Sequence, residues 1–288
     1  MSEYVILTDS GCDIHDDILK GWGVGYKSLT FKFNGDEKEY SNSDIPIKDF
    51  YNRMREGSVA KTAAINTEDF SSMFEKYLAN GTDVLYLGFS SGLSNTFNAS
   101  RLAASELAEK YPDRKIINID TLAASAGQGM LVYFAVRKKN EGASIDEVAE
   151  YIESVKLKLC HFFTVDDLVY LKRGGRVSPT VAFVGGLLGI KPILHVDNDG
   201  HLINIGKVRG RRVSVKTLAD KYAELAENKK DGTVYISHGD CYEDAEALAN
   251  IIRDTHGAKV EIITDVGAVI GAHSGPGTLA LFFVGTHR

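Results

Sequence analysis

Val84-Leu85-Tyr86-Leu87-Gly88-Phe89-Ser90-Ser91-Gly92-Leu93-Ser94-Asn95-Thr96-Phe97-Asn98 runs from an apolar stretch into a hydroxyl-rich turn and on into a helical pattern. A short apolar run bounded by glycine reads as a strand buried on both faces, as in a parallel sheet covered by helices. Leu93, Phe97, Ala104, Leu107 and Tyr111 share a face of the helix that follows. This order sets helix N-terminal N–H groups and several hydroxyls outside the carboxyl end of a strand, where an anionic group can bind.

The same alternation extends in both directions. Tyr4–Leu7, Ile116–Ile119, Val234–Ile236 and Val260–Ile263 read as further strands. Phe70, Met73, Phe74, Tyr77 and Leu78 give one helical face, and Ala245, Leu248, Ala249 and Ile252 another. The pattern predicts an α/β protein whose N-terminal part is largely parallel. Ile193–Val196 and Leu202–Ile205 flank Asn198-Asp199-Gly200, a hairpin signal. A second, more antiparallel α/β domain is therefore expected from about residue 159, giving units 1–158 and 159–288.

The chain has 288 residues, 44% hydrophobic and 25% charged, with a formal net charge of −6. That balance argues against a nucleic-acid binder or a binder of anionic membranes, whose affinity rests on accumulated Lys and Arg. Cys12, Cys160 and Cys241 are odd in number and form no C-x-x-C pair, so no disulfide framework or zinc site is expected and a cytoplasmic setting fits. The N-terminus shows no signal-peptide pattern, and no run approaches the roughly 20 apolar residues that span a bilayer.

Several constellations could carry chemistry. Gly88-Phe89-Ser90-Ser91-Gly92 satisfies G-x-S-x-G in a strand-to-helix setting, and Asp265 with His273 would complete the order of a serine hydrolase. The same five residues also fit a turn that caps a helix. Asp9, in Thr8-Asp9-Ser10-Gly11-Cys12-Asp13, reads as an Asx-turn. Thr62 is expected in a loop before a helix starting near Thr67, and His273 in a small-residue loop where backbone can approach a ligand. The nearly uncharged stretch from Val177 to Ile190 reads as core or as the wall of an apolar cavity. Lys172-Arg173-Gly174-Gly175-Arg176 and Lys207–Arg212 are basic islands, suited to solvent, a partner or phosphate.

Taken in order, four blocks resemble the DegV family of bacterial fatty-acid-binding proteins across nearly the whole chain. They are Thr8-Asp9-Ser10, Ser90 through Phe97, Leu171 through Ser178, and Gly267 through Gly277. The resemblance implies a two-domain fold with a ligand tunnel between the domains and one long-chain, palmitate-like fatty acid inside it. It implies no catalytic residue, cofactor or metal. Thr62 and Ser94 match the hydroxyls expected at the carboxylate and His273 a histidine near it, with Ser91 and Asn95 in the same turn as Ser94. Arg176 and Arg173 fall in a basic loop implicated in meeting a partner. Related members in Gram-positive bacteria present the fatty acid to a fatty acid kinase, which implies no stable membrane insertion and leaves room for transient membrane contact.

Two departures stand out. Ser94-Asn95-Thr96-Phe97 replaces the usual Ser-Gly-Thr-Tyr, and Thr62-Ala63-Ala64-Ile65 replaces Thr-Ser-Gln-Pro. Asn95 could crowd the head group or hydrogen-bond to it.

Overall fold

The computed structural model describes residues 3–177 and 189–288. Most of the apolar segment between Val177 and Ile190 thus lies outside the described residues.

Strands β1 (Tyr4–Asp9), β2 (Gly25–Lys27), β5 (Asp83–Gly88) and β6 (Ile116–Asp120) form a four-stranded sheet in the order β2-β1-β5-β6. All its pairings are parallel. Every residue of β5 is buried, as a strand between two helical layers requires. Helices α3 (Thr67–Leu78) and α4 (Thr96–Lys110) pack against each other and against this sheet. Asn66 caps α3 by accepting the Asp69 N–H at 2.8 Å.

The second sheet has six strands in the order β11-β10-β12-β7-β8-β9. These are β7 (Leu159–Thr164), β8 (Ile190–Val196), β9 (Leu202–Arg209), β10 (Thr233–His238), β11 (Lys259–Asp265) and β12 (Leu279–Val284). Only β10 and β11 pair in parallel, across the crossover helix α9 (Tyr242–His256). The Asn198-Asp199-Gly200 hairpin joins β8 to β9, with Gly200 at φ +78°. The sequence reading passed over β7 and β12, although both sit inside this sheet.

Alternation along those two strands divides their side chains between two layers. Cys160, Phe162, Leu279, Leu281 and Phe283 join a core with α9 and α8 (Arg211–Leu225). Phe163, Ala280 and Phe282 join another core with α5 (Ala126–Asn140). Ten residues of α5 are buried, as expected of a helix apolar on all sides. It packs against β1 and β5 of one sheet and against β7, β10 and β12 of the other.

Two placements differ from expectation. Thr62 lies in a strand, because β4 (Ala60–Ala63) pairs antiparallel with β3 (Thr30–Phe33). His273 lies in a short helix, α10 (Ala268–Ser274), which packs on β3, β4 and α2 (Ile47–Arg55). Asp9 does form the turn: its carboxylate accepts the Gly11 and Phe89 N–H groups, each at 2.9 Å, and the Tyr86 hydroxyl at 2.5 Å. It thereby ties the end of β1 to the end of β5.

Candidate functional site

A cavity of about 310 Å³ lies between the carboxyl end of β5 and the inner face of the six-stranded sheet. Its volume is at the lower end of the usual range for small-molecule sites. Phe163, Ala280 and Phe282 furnish apolar wall from the sheet, and Phe89, Leu93 and Val269 from the other side. No Asp or Glu lines it among the described residues.

Its polar groups come from segments far apart in sequence. Thr62 of β4, Ser94 and Asn95 before α4, His273 and Ser274 of α10, and Arg176 all line it. The Thr62 hydroxyl and His273 Nε2 share a 2.8 Å hydrogen bond across 211 positions of chain. The other edge of the imidazole rests on Gly174, where a Cβ would fall 2.2 Å from Nδ1. Burial, with the charge of Arg176 as a second cause, lowers the His273 pKa to about 4. His273 is therefore neutral at pH 7, and Arg176 is the cation of this cluster.

Arg176 is half-buried, and burial lowers its pKa as well. Its Nε donates to the Leu93 carbonyl at 3.1 Å and its Nη1 to the Gly174 carbonyl. These two bonds turn the side chain inward and use only part of a five-donor fork. Arg173 remains exposed, its guanidinium over the Tyr170 ring at 5.7 Å.

The turn that opens α4 divides sharply. Ser94 Oγ lies 2.9 Å from Thr96 Oγ1, and Ser94 is half-buried at the cavity. Asn95 sits at the rim, exposed, with Oδ1 accepting from Asn98 Nδ2 at 3.1 Å. Ser91 is exposed and outside the lining, its backbone N–H donated to Asp120 Oδ1 at 3.2 Å. Ser91, expected at the ligand, is thus not among the residues that line this cavity.

The hydrolase arrangement is not assembled. Ser90 is fully buried and donates to the Gly200 carbonyl at 2.9 Å, while its oxygen accepts the Gly92 N–H at 3.2 Å. His273 is engaged with Thr62, and Asp265 lies 3.6 Å from His238. The glycines of the G-x-S-x-G match serve packing instead. A Cβ at Gly92 would meet the Asp199 carbonyl at 2.8 Å, and one at Gly88 the Phe97 ring at 2.9 Å.

Ser274 escaped the sequence reading as a site residue. It is buried, lines the cavity and has no hydrogen-bond partner for Oγ among the described residues. The wall residues of β7 and β12 were also missed: Leu159–Thr164 and Leu279–Val284 are short, mostly apolar runs buried along almost their whole length, with no alternation to single out the cavity face.

The geometry acquires a family context from known proteins. A family model described as "Uncharacterised protein, DegV family COG1307" matches residues 3–286. A DegV domain-containing protein of Clostridium perfringens is 46% identical over 288 residues, covering 99% of this chain and 98% of its own. A DegV-family protein from Thermus thermophilus, described for its fatty acid binding, superposes with a TM-score of 0.89 at 29% identity, covering 99% of this chain and 100% of that one. A stearic acid-binding protein from Eubacterium ventriosum gives 0.88 at 26% identity, with 98% of each chain covered. With the family model matched over residues 3–286 and a relative this similar over 98% of its own length, the chain belongs to the DegV family.

Proposed function

We propose that this protein binds one long-chain fatty acid, palmitate-like in length, with the acyl chain in the cavity and the carboxylate at its polar end. The observation that carries the reading is the composition of that cavity. Among its described lining residues one inward-turned cation, Arg176, stands beside a neutral His273 and the hydroxyls of Thr62, Ser94 and Ser274, while the wall beyond is mainly apolar with His161, Ser125, Ser237 and Thr278 set into it. Such a lining suits an amphiphilic anion. The fatty acid binding described for the Thermus thermophilus protein and the stearic acid named for the Eubacterium ventriosum one accord with it. Residues 1–158 and 159–288 are read as the two units that enclose the ligand.

A chain of about sixteen carbons gains on the order of 10 kcal/mol of gross hydrophobic free energy, at ~0.8 kcal/mol per buried CH₂. Association and ordering offset much of this. The polar cluster has the smaller task of avoiding an unpaired buried charge and fixing orientation. We read the ligand as held intact and any chemistry as falling to a partner, because Ser90, the candidate nucleophile, donates to the Gly200 carbonyl and is not among the described residues that line the cavity. That partner is read as a fatty acid kinase, which would phosphorylate the carboxylate, with exposed Arg173 at the contact. A cytoplasmic setting fits three unpaired cysteines, and no helix among the described residues is long and apolar enough to cross a membrane.

Organic extraction of the purified protein followed by mass spectrometry tests the binding reading. A stoichiometric fatty acid is expected; an empty protein that also fails to take up added palmitate would refute it. Formation of acyl phosphate by a fatty acid kinase with ATP tests the presentation step, and equal rates for Arg173→Glu and wild type would remove Arg173 from the contact.

A further inference from the structure

His161 lies on β7 opposite Phe282 of β12, and both residues line the cavity. Only 2% of His161 is exposed, yet neither ring nitrogen has a hydrogen-bond partner among the described residues. Buried polar groups are normally paired, so such a ring calls for an explanation. Burial first, then the charges of Arg288 and His195, hold its pKa well below the usual value; the Leu159 backbone opposes this without reaching hydrogen-bond geometry. The imidazole is therefore neutral, with one N–H donor and one bare nitrogen acceptor.

The surroundings make room for this ring. Its Nε2 edge faces Gly127 of α5, where a Cβ would come within 2.6 Å, and Phe282 meets it edge-on with ring centroids 5.6 Å apart. An alkyl chain offers no partner to either nitrogen. A hydroxyl offers both a donor and an acceptor, so it can satisfy whichever nitrogen it meets, whereas a ketone or epoxide can only accept.

Position along the sheet restricts where that hydroxyl would be. Thr278, which lines the cavity beside the end of α10 and donates to the Gly275 carbonyl at 2.8 Å, marks the His273 end. Phe282 is four residues further along β12, about 13 Å at the rise of a strand. A hydroxyl next to the carboxylate would stay at the Arg176 end and leave His161 facing methylenes.

We propose that the cavity is selective for a long-chain fatty acid bearing a hydroxyl in the distal half of its acyl chain, and that His161 is the residue that recognises this hydroxyl. The inference rests on the fatty-acid reading above and deepens it by naming the substrate class.

Competition binding to delipidated protein with stearate, 2-hydroxystearate and 12-hydroxystearate tests it. Wild type is expected to bind 12-hydroxystearate about tenfold more tightly than either of the others, as follows when a buried unpaired group gains its partner. His161→Phe should lose that preference and bind stearate best, while His161→Gln, which keeps a donor and an acceptor, should retain part of it. In wild type, which needs no substitution, the ¹⁵N signals of the His161 ring should move with 12-hydroxystearate and stay in place with stearate. Equal affinity for the three acids, static ring signals, or a preference that survives in His161→Phe would overturn the inference while stearate binding leaves the fatty-acid reading standing. Failure to bind any of the three would overturn both.

Discussion

Ser90 and Ser94 are hydroxyls of one turn, four residues apart, and the two halves of that turn have different tasks. The Ser90 half is closed: its hydroxyl is buried under the Gly200 carbonyl of the β8–β9 hairpin, and Gly92 lets the same hairpin approach. The Ser94 half is open, half-buried at the cavity beside Thr62, His273 and Arg176. Composition does not distinguish the halves. What separates them is which part of the C-terminal half of the chain lands on each, a hairpin on one and an arginine loop with α10 on the other. A nucleophile motif in sequence therefore becomes a docking joint in the fold, and the hydroxyl that lines the cavity is the one a helical turn along.

The strongest way to break this contrast is to force the joint apart. Gly200 combines φ +78° with a site where a Cβ would lie 2.2 Å from Ser90 Oγ and 3.2 Å from the Leu122 backbone. Gly200→Val adds strain at a left-handed residue to overpacking and should cost about 4 kcal/mol. A lowered urea midpoint at unchanged slope is the expected readout; an unchanged midpoint would mean the joint contributes nothing.

Next in size is the acid response of the open half. The His273 pKa of about 4 lies below its unfolded value, about 6.5. Between these values the unfolded chain binds more protons, so this contribution is full above pH 6.5 and is lost as pH falls toward 4. It amounts to about 3 kcal/mol for the ligand-free protein. His161 and His195 act in the same direction, so the difference between wild type and His273→Gln isolates it. Identical pH profiles for the two proteins would contradict the assignment. Bound carboxylate should raise the His273 pKa, which a ¹H–¹⁵N titration of its ring can follow.

Arg176→Gln should weaken fatty acid binding about 100-fold, because it leaves a buried carboxylate without its cation. Its unfolding midpoint should stay within about 1 kcal/mol of wild type. A binding constant unchanged in calorimetry would return Arg176 to the role of a partner contact. Ser90→Ala should do the reverse. It removes a buried hydrogen bond worth about 1–2 kcal/mol of stability and leaves affinity untouched; lost binding would join the two halves of the turn functionally.

Much of this contrast was legible before the structure, and the reasons differ by element. The strand–turn–helix at Val84–Asn98 was plain because its period switches within a few residues. The Asp-Gly hairpin was plain because its turn chemistry is local. β7 and β12 were not, since a six-residue apolar run carries no period of its own, and these two pair with each other across more than a hundred residues of chain. Thr62 and His273 were visible as loop residues, but their place at a head group entered through family resemblance, and their mutual hydrogen bond has no sequence signal at all. The inward turn of Arg176 depends on two backbone carbonyls, Leu93 and Gly174, so a basic loop that reads as surface becomes part of the cavity.

The smallest effect is the finest test of the open half. Ser94 Oγ already has Thr96 Oγ1 at 2.9 Å and receives the Thr96 N–H at 3.3 Å, so its removal leaves a local network that Thr96 can partly repair. The carboxylate would lose one hydroxyl donor among several and keep the Arg176 charge. Ser94→Ala should therefore raise the Kd for palmitate about fivefold, in line with a net hydrogen bond of about 1 kcal/mol, and leave the unfolding midpoint unchanged. Calorimetry with palmitate and with the uncharged alcohol hexadecanol separates the causes. A fivefold loss for palmitate alone places Ser94 at the head group, whereas an equal loss for both ligands would assign it to the shape of the cavity and withdraw it from the carboxylate site.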